Sequence, residues 1–258
     1  MKPERVVNIR EKLAEIGSPV ESLSLGDFSY IAEPTAKKMR EPDSELWRTV
    51  GSFFVPNAER GLLIYSLIKQ HRLESYLEIG FGRGYSALCA AKAFAELGNG
   101  GQVMIIEPQP DDAHMNFIAQ AFPADWTNRI QMARGTSADV LPRMQDKYDL
   151  VYVDGDHTLD AVKSDWEGVK DLWSCFCLFD DWHMDVGLDP AIQVHEALDT
   201  KEQPPGTTSE LIIMDRRVFV DDRKWPDERI RYGQLLLTRA DAVDALIKKS
   251  VVAETWDW

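Results

Sequence analysis

Cysteine is scarce in this chain: Cys89, Cys175 and Cys177 are the only three in 258 residues. They are too few for a disulfide framework, and the lone C-x-C of Cys175 and Cys177 lacks the ligand number of a structural zinc site. Two residues apart, Cys175 and Cys177 should share one face of a strand and read as core. A basic surplus is missing as well, since 29 Lys and Arg stand against 43 Asp and Glu for a formal charge of −14. That charge opposes phosphate backbones and anionic lipid surfaces, so neither a nucleic acid nor a membrane is an expected partner. No uncharged apolar run approaches the roughly 20 residues needed to span a bilayer, and the opening MKPERVVNIREKLAEIG has no apolar core of signal-peptide type. The expectation is a soluble, cytoplasmic protein. Repeats and low-complexity tracts are also absent.

What the chain does have is a 44% hydrophobic composition at a length suited to one α/β domain with an added segment. Residues 1–54 read as a helical N-terminal extension or cap, punctuated by Gly17-Ser18-Pro19, Glu33-Pro34 and Glu41-Pro42, and residues 55–258 as the main domain. Helical pieces are expected from Val6 to about Leu73, the last placing Leu63, Ile64, Leu67 and Ile68 on one face. Strand and helix patterns then alternate: strands at Tyr76 to Ile79, Gln102 to Glu107, Ile130 to Ala133, Asp149 to Asp154 and Cys175 to Phe179, with helical stretches between. Such alternation implies right-handed crossovers and a doubly wound, mainly parallel sheet whose ligands lie outside the carboxyl ends of its strands. After a helix near Ala191 to Leu198, Glu210 to Met214, Val218 to Val220 and Gln234 to Thr238 read as an antiparallel C-terminal hairpin closing the sheet. The tail from Asp241 reads as one more helix.

The organising stretch is YLEIGFGRGYSALCAAKAF, from Tyr76 to Phe94. A short apolar strand runs into Gly80, Gly82 and Gly84 and straight on into a small-residue helix. Glycines let the backbone turn and approach a ligand closely, while the first N–H groups of the helix face the crevice. A dinucleotide fingerprint needs a third glycine where Tyr85 stands, which disfavours NAD. About two dozen residues on, Glu107 ends a strand where a carboxylate can accept two ribose hydroxyls, with Pro108 following. YDLVYVDGDHTLD delivers Asp154, Asp156 and His157, and CFCLFDDW delivers Asp180 and Asp181 from the next strand. Asp154, Asp180 and Asp181 together suit a hard divalent cation such as Mg²⁺, and no basic neighbour in sequence relieves their repulsion.

The pattern from Glu78 through Gly80, Gly82 and Gly84 to Tyr85-Ser86-Ala87 resembles motif I of class I S-adenosylmethionine-dependent methyltransferases. LEIGFGRGYSA is similar to the stretch found in catechol O-methyltransferase and its small-molecule relatives, some acting on sugars and antibiotics. The resemblance runs from about Val55 to Ala197 and implies a seven-stranded Rossmann-like sheet with a reversed final strand. It implies S-adenosyl-L-methionine as cofactor, in contact with Glu78, the three glycines, Tyr85, Ser86, Glu107 and Pro108. Gly135-Thr136-Ser137-Ala138 resembles the segment at the adenine edge, where Ser137 and Ala138 would lie; Thr136 or Ser137 would equally cap a helix. Asp154 and Asp156 complete that set.

YDLVYVDGDHTLD resembles the metal-binding motif of the same enzymes. There the third metal position is an amide, whereas Asp181 is an acid. His157 stands three residues after Asp154, where the catechol enzymes carry a lysine base, and imidazole suits that task. Its alternative role is to cap a helix or hold Asp154 or Asp180. The implied reaction is methyl transfer to a hydroxyl of a small molecule. A nicotinamide-dependent oxidoreductase and a non-catalytic cofactor-binding protein are the rival readings. Trp47, Trp182, Trp225, Trp256 and Trp258 are available to stack on an acceptor or to pack in cores. The sequence leaves substrate identity open and is compatible with a homo-oligomer.

Overall fold

The computed structural model describes residues 1–18, 58–82, 84–110, 112–183, 193–214, 218–219, 229–230 and 232–246. Most of the expected cap, together with Trp47, Trp225, Trp256 and Trp258, lies outside the described residues. The chain opens with a strand, β1 (Arg5–Asn8), and then helix α1 (Ile9–Glu15). A helix had been expected from Val6, but Val6 and Val7 are β-branched and favour an extended, half-buried path. Asn8 ends the strand and starts the helix: its side chain accepts from the Arg10 N–H at 2.8 Å. Helix α2 (Ala58–His71) precedes β2 (Ser75–Ile79), and α3 (Tyr85–Leu97) leads to β3 (Gln102–Glu107). Helices α4 (Asp112–Ala121) and α5 (Ala124–Thr127) come before β4 (Ile130–Arg134). The short α6 (Ser137–Val140) then precedes β5 (Tyr148–Val153), followed by α7 (Leu159–Val169) and β6 (Trp173–His183). Helix α8 (Val194–Asp199) comes before β7 (Thr207–Ile213), and β10 (Tyr232–Arg239) runs into a helical stretch at residues 240–246.

These strands form one eight-stranded sheet in the order β1-β7-β10-β6-β5-β2-β3-β4. From β6 through β4 every pairing is parallel, while β10 lies antiparallel between β6 and β7. The reversed final strand is thus present, and β1 adds an eighth by pairing parallel with β7 from Arg5 opposite Glu210 to Asn8 opposite Ile213. Val218–Phe219 and Arg229–Ile230, strands β8 and β9, pair with each other in a separate ribbon rather than joining the hairpin. Strand order reverses between β5 and β2, and the crevice beyond their carboxyl ends is the expected ligand position.

Two apolar layers cover the sheet. One packs α1, α2 and α3 on Tyr76, Tyr152, Leu178 and Leu236; the other packs α7 and α8 on Leu77, Val151, Cys177 and Leu235. Cys175 belongs to the first layer and Cys177 to the second, so the two do not share a face. The register between β5 and β6 slips between Tyr148 and Leu150, and the extra residue on β6 breaks the alternation there. All three cysteines are buried and free. Among the described residues, no helix is long and apolar enough to cross a membrane.

Candidate active site

The glycine turn is built from the backbone. Gly80 and Gly84 have φ of 85° and 76°, and a Cβ at Gly80 would lie 2.2 Å from the Asp154 carbonyl oxygen. Gly80 donates to the Ile106 carbonyl at 3.0 Å, and the Asp154 N–H donates to the Ile79 carbonyl at 2.9 Å. The ends of β2, β3 and β5 are therefore knotted at a spot where only glycine fits. At Gly82, with φ of 50°, an added Cβ would meet nothing within 4 Å, so the turn's tip faces open space. Glu107 looks across that turn: its carboxylate accepts from the Phe81 and Gln109 N–H groups, each at 3.0 Å. Pro108 beside it is exposed. Glycines and a half-buried carboxylate over an open turn fit a cofactor with a ribose diol.

Glu78 and Tyr85 lie beneath the turn rather than on it. Glu78 is 1% exposed and accepts from the Ser86 and Tyr76 hydroxyls, the latter at 2.9 Å. Burial pushes its carboxyl up to about 8, against the Ser86 hydrogen bond, which holds it lower. Burial thus favours the protonated form of Glu78, and its bond with Ser86 fixes the start of α3. The Tyr85 hydroxyl lies against α2, only 2.5 Å from where a Cβ on Gly61 would stand. At the adenine end, Thr136 caps α6 by accepting from the Asp139 N–H at 3.2 Å, leaving Ser137 as the first helical residue and Ala138 exposed. Ser137 hydrogen-bonds the buried Asp165, whose carboxyl burial raises to about 6. Asp156 is exposed and accepts from the Thr158 N–H at 2.9 Å, shaping the turn into α7.

The acids at the ends of β5 and β6 divide into two environments. β6 carries an extra residue here, running from Phe179 to Trp182 where β10 runs from Leu235 to Gly233, and in this bulge Asp180 and Asp181 separate. Asp180 follows Leu178 onto the face covered by α2, where Arg60 Nη1 donates to its Oδ2 and Gln234 Nε2 to its Oδ1 at 2.9 Å. Arg60 Nη1 also reaches Asp154 Oδ2 at 3.1 Å, and the Tyr152 hydroxyl donates to the same oxygen at 3.3 Å. Asp181, with a φ of 52° unusual for a residue bearing a side chain, places Oδ2 3.2 Å from His157 Nδ1. His157 Nε2 stands 3.4 Å from Asp154 Oδ1. The structure therefore gathers Asp154, His157 and Asp181, with one ligand atom from each within 4.8 Å of the others, and leaves Asp180 outside that group. Two carboxylates and an imidazole are a donor set that fits a divalent cation.

Burial works against charge on His157, but Asp181 and Asp154 outweigh it and push the imidazole up to about 10. Burial, then repulsion from Asp180, raises Asp154 to about 6, with Arg60 and His157 pulling the other way. Sequence reasoning missed Arg60, Gln234 and Tyr152. Arg60 sits in an ordinary amphipathic helix and carries no signal; Gln234, fully buried before Leu235-Leu236-Leu237, is a polar residue in an apolar strand that could have been noticed.

A Rossmann-like sheet with a reversed last strand, a glycine turn after β2 and an acid ending β3 is the methyltransferase fold. Residues 77–182 match the family model described as a methyltransferase domain. Among solved structures, cofactor-bound Rv0187 from MTB is similar at a TM-score of 0.59 and 19% identity, covering 93% of this chain and 99% of that one. The O-methyltransferase TomG from Streptomyces achromogenes, involved in tomaymycin synthesis and solved with SAM, is similar at 0.53 and 20% identity, covering 82% and 88%. An O-methyltransferase from Bacillus cereus in complex with SAH gives 0.53 and 14%, covering 89% and 96%.

Proposed function

We propose that this protein is an S-adenosylmethionine-dependent O-methyltransferase that methylates a hydroxyl of a small molecule with the help of a divalent cation, Mg²⁺ being the natural choice for carboxylate ligands. One observation carries the reading: a single sheet edge presents a glycine turn facing Glu107 on one side of Asp154, and His157 with Asp181 on the other. S-adenosylmethionine supplies the methyl group on a sulfonium, and a divalent cation supplies the charge that acidifies an acceptor hydroxyl.

The chain's own residues do the positioning. Glu107 would accept the ribose hydroxyls, Gly80 and Gly82 would let the cofactor approach the turn, and the Ser137 segment would border the base. Asp154 and Asp181 would hold the cation. His157, between those carboxylates, is an imidazolium while they are its main counter-charges. With a cation bound, the two carboxylates would be shared counter-charges, and the His157 imidazole would then serve as the base for the acceptor proton. Catalysis is then chiefly orientation and electrostatics. The acceptor is a small hydroxylated molecule and the setting cytoplasmic.

The test is methyl transfer to a panel of hydroxylated metabolites after chelator treatment. Activity should vanish in chelator and return with Mg²⁺. Full activity in chelator would make the transfer cation-independent and leave Asp154 and Asp181 as orienting groups.

A further inference from the structure

The proposed cation site has an unassigned neighbour in Arg60. Resting on the cation-assisted reading above, we infer that Arg60 is a positioning residue that keeps Asp180 out of the cation's ligand set and weakens the hold of Asp154 and Asp181 on a divalent ion. Asp180 has no exposed side-chain surface, and both of its oxygens are occupied, Oδ2 by Arg60 and Oδ1 by Gln234. The guanidinium, itself 13% exposed, also donates to Asp154 Oδ2 from the α2 side. His157 stands at the other oxygen of Asp154, Oδ1, with Asp181 at its second ring nitrogen. Asp154 is thus shared: one oxygen is turned to a fixed positive charge and the other to the candidate ligand group. A guanidinium does not deprotonate at any accessible pH, so its charge is permanent. A divalent ion held by Asp154 and Asp181 feels that like charge across a single carboxylate, in partly buried surroundings where Coulomb interactions are several times stronger than in water.

The distinctive consequence is a gain. Damage to the fold or to the ligand geometry lowers metal affinity, whereas removing a repelling charge raises it. The experiment uses the full chain and titrates Mn²⁺, followed by loss of the free-ion electron paramagnetic resonance signal; calorimetry with S-adenosylhomocysteine checks that each variant keeps its cofactor site. Arg60→Gln, neutral but still able to donate to Asp180, should bind Mn²⁺ about tenfold more tightly than the wild type. Asp180→Asn, which takes a nearby negative charge away without removing a ligand, should lose about threefold, while Asp181→Asn should lose about tenfold or more. If Arg60→Gln alone does not fold, because Asp180 is left as a buried charge, Arg60→Gln/Asp180→Asn removes the pair together and should bind Mn²⁺ about tenfold more tightly than Asp180→Asn alone. Unchanged or weaker Mn²⁺ binding in a folded Arg60 variant than in its parent overturns the proposal. So does a loss in Asp180→Asn equal to that in Asp181→Asn, or no Mn²⁺ binding by any variant. Absence of S-adenosylhomocysteine binding in the wild type sinks the methyltransferase reading instead, and the order of Mn²⁺ affinities still decides the role of Arg60.

Discussion

The two sides of Asp154 are built by different means. On the β2–β3 side the geometry is in the backbone: Gly80 is crowded by a carbonyl oxygen, the turn is closed by main-chain hydrogen bonds, and one side chain, Glu107, reaches over it. On the β5–β6 side it is in charges gathered from three distant stretches, Arg60, Asp154 with His157, and Asp180 with Asp181, and in the Gln234 amide from a fourth. A backbone turn is rigid and tolerates little beyond glycine, whereas a charge cluster holds by balance and can be retuned one residue at a time. The cofactor side should therefore break under small steric changes and the acid side respond to changes of charge.

Gly80→Ala should have the largest effect. It combines a left-handed φ with a Cβ 2.2 Å from the Asp154 carbonyl oxygen, for a destabilisation of about 2–5 kcal/mol by urea denaturation. Gly82→Ala, with φ of 50° but open space around it, should cost only about 1–2 kcal/mol. Equal losses at the two positions would mean that the junction of β2 and β5 is not the rigid point. Next comes Glu78→Gln, which mimics the protonated acid. Burial pushes the folded carboxyl up to about 8, above the ordinary 4.5. The native state therefore holds the proton through that window, and wild-type stability falls as pH rises from 4.5 through 8. The variant lacks that loss and should be more stable above pH 8 by about 5 kcal/mol, with no gain below pH 4.5. Thermal melts across pH would show parallel curves if Glu78 were instead ionised in the fold. Glu107→Ala should weaken S-adenosylhomocysteine binding by about 1.5–3 kcal/mol with the fold intact, and unchanged affinity would remove Glu107 from the ribose.

The same contrast explains what could be read from the sequence. The glycine turn, the strand ending in Glu107 and the reversed last strand were legible, because glycine spacing and apolar alternation are local signals and the cofactor side consists of little else. Strand β1 was not: four residues running directly into a helix become a strand through Glu210 and its neighbours, some 200 positions away. Asp180 was read together with Asp181 because adjacency in sequence suggests a shared task. The bulge of β6 against β10 separates them, leaving Asp180 to Arg60 and Asp181 to His157. Charges that meet through tertiary contacts leave no local pattern: the acids have no basic neighbour in sequence, but Arg60 stands beside Asp154 and Asp180 in space.

The most direct test of the central claim is calorimetric titration of the full chain with S-adenosylhomocysteine and, separately, with NAD. A methyltransferase crevice predicts saturable one-to-one binding of S-adenosylhomocysteine and no heat from NAD. Binding of NAD alone, or of neither ligand by folded protein, would contradict it.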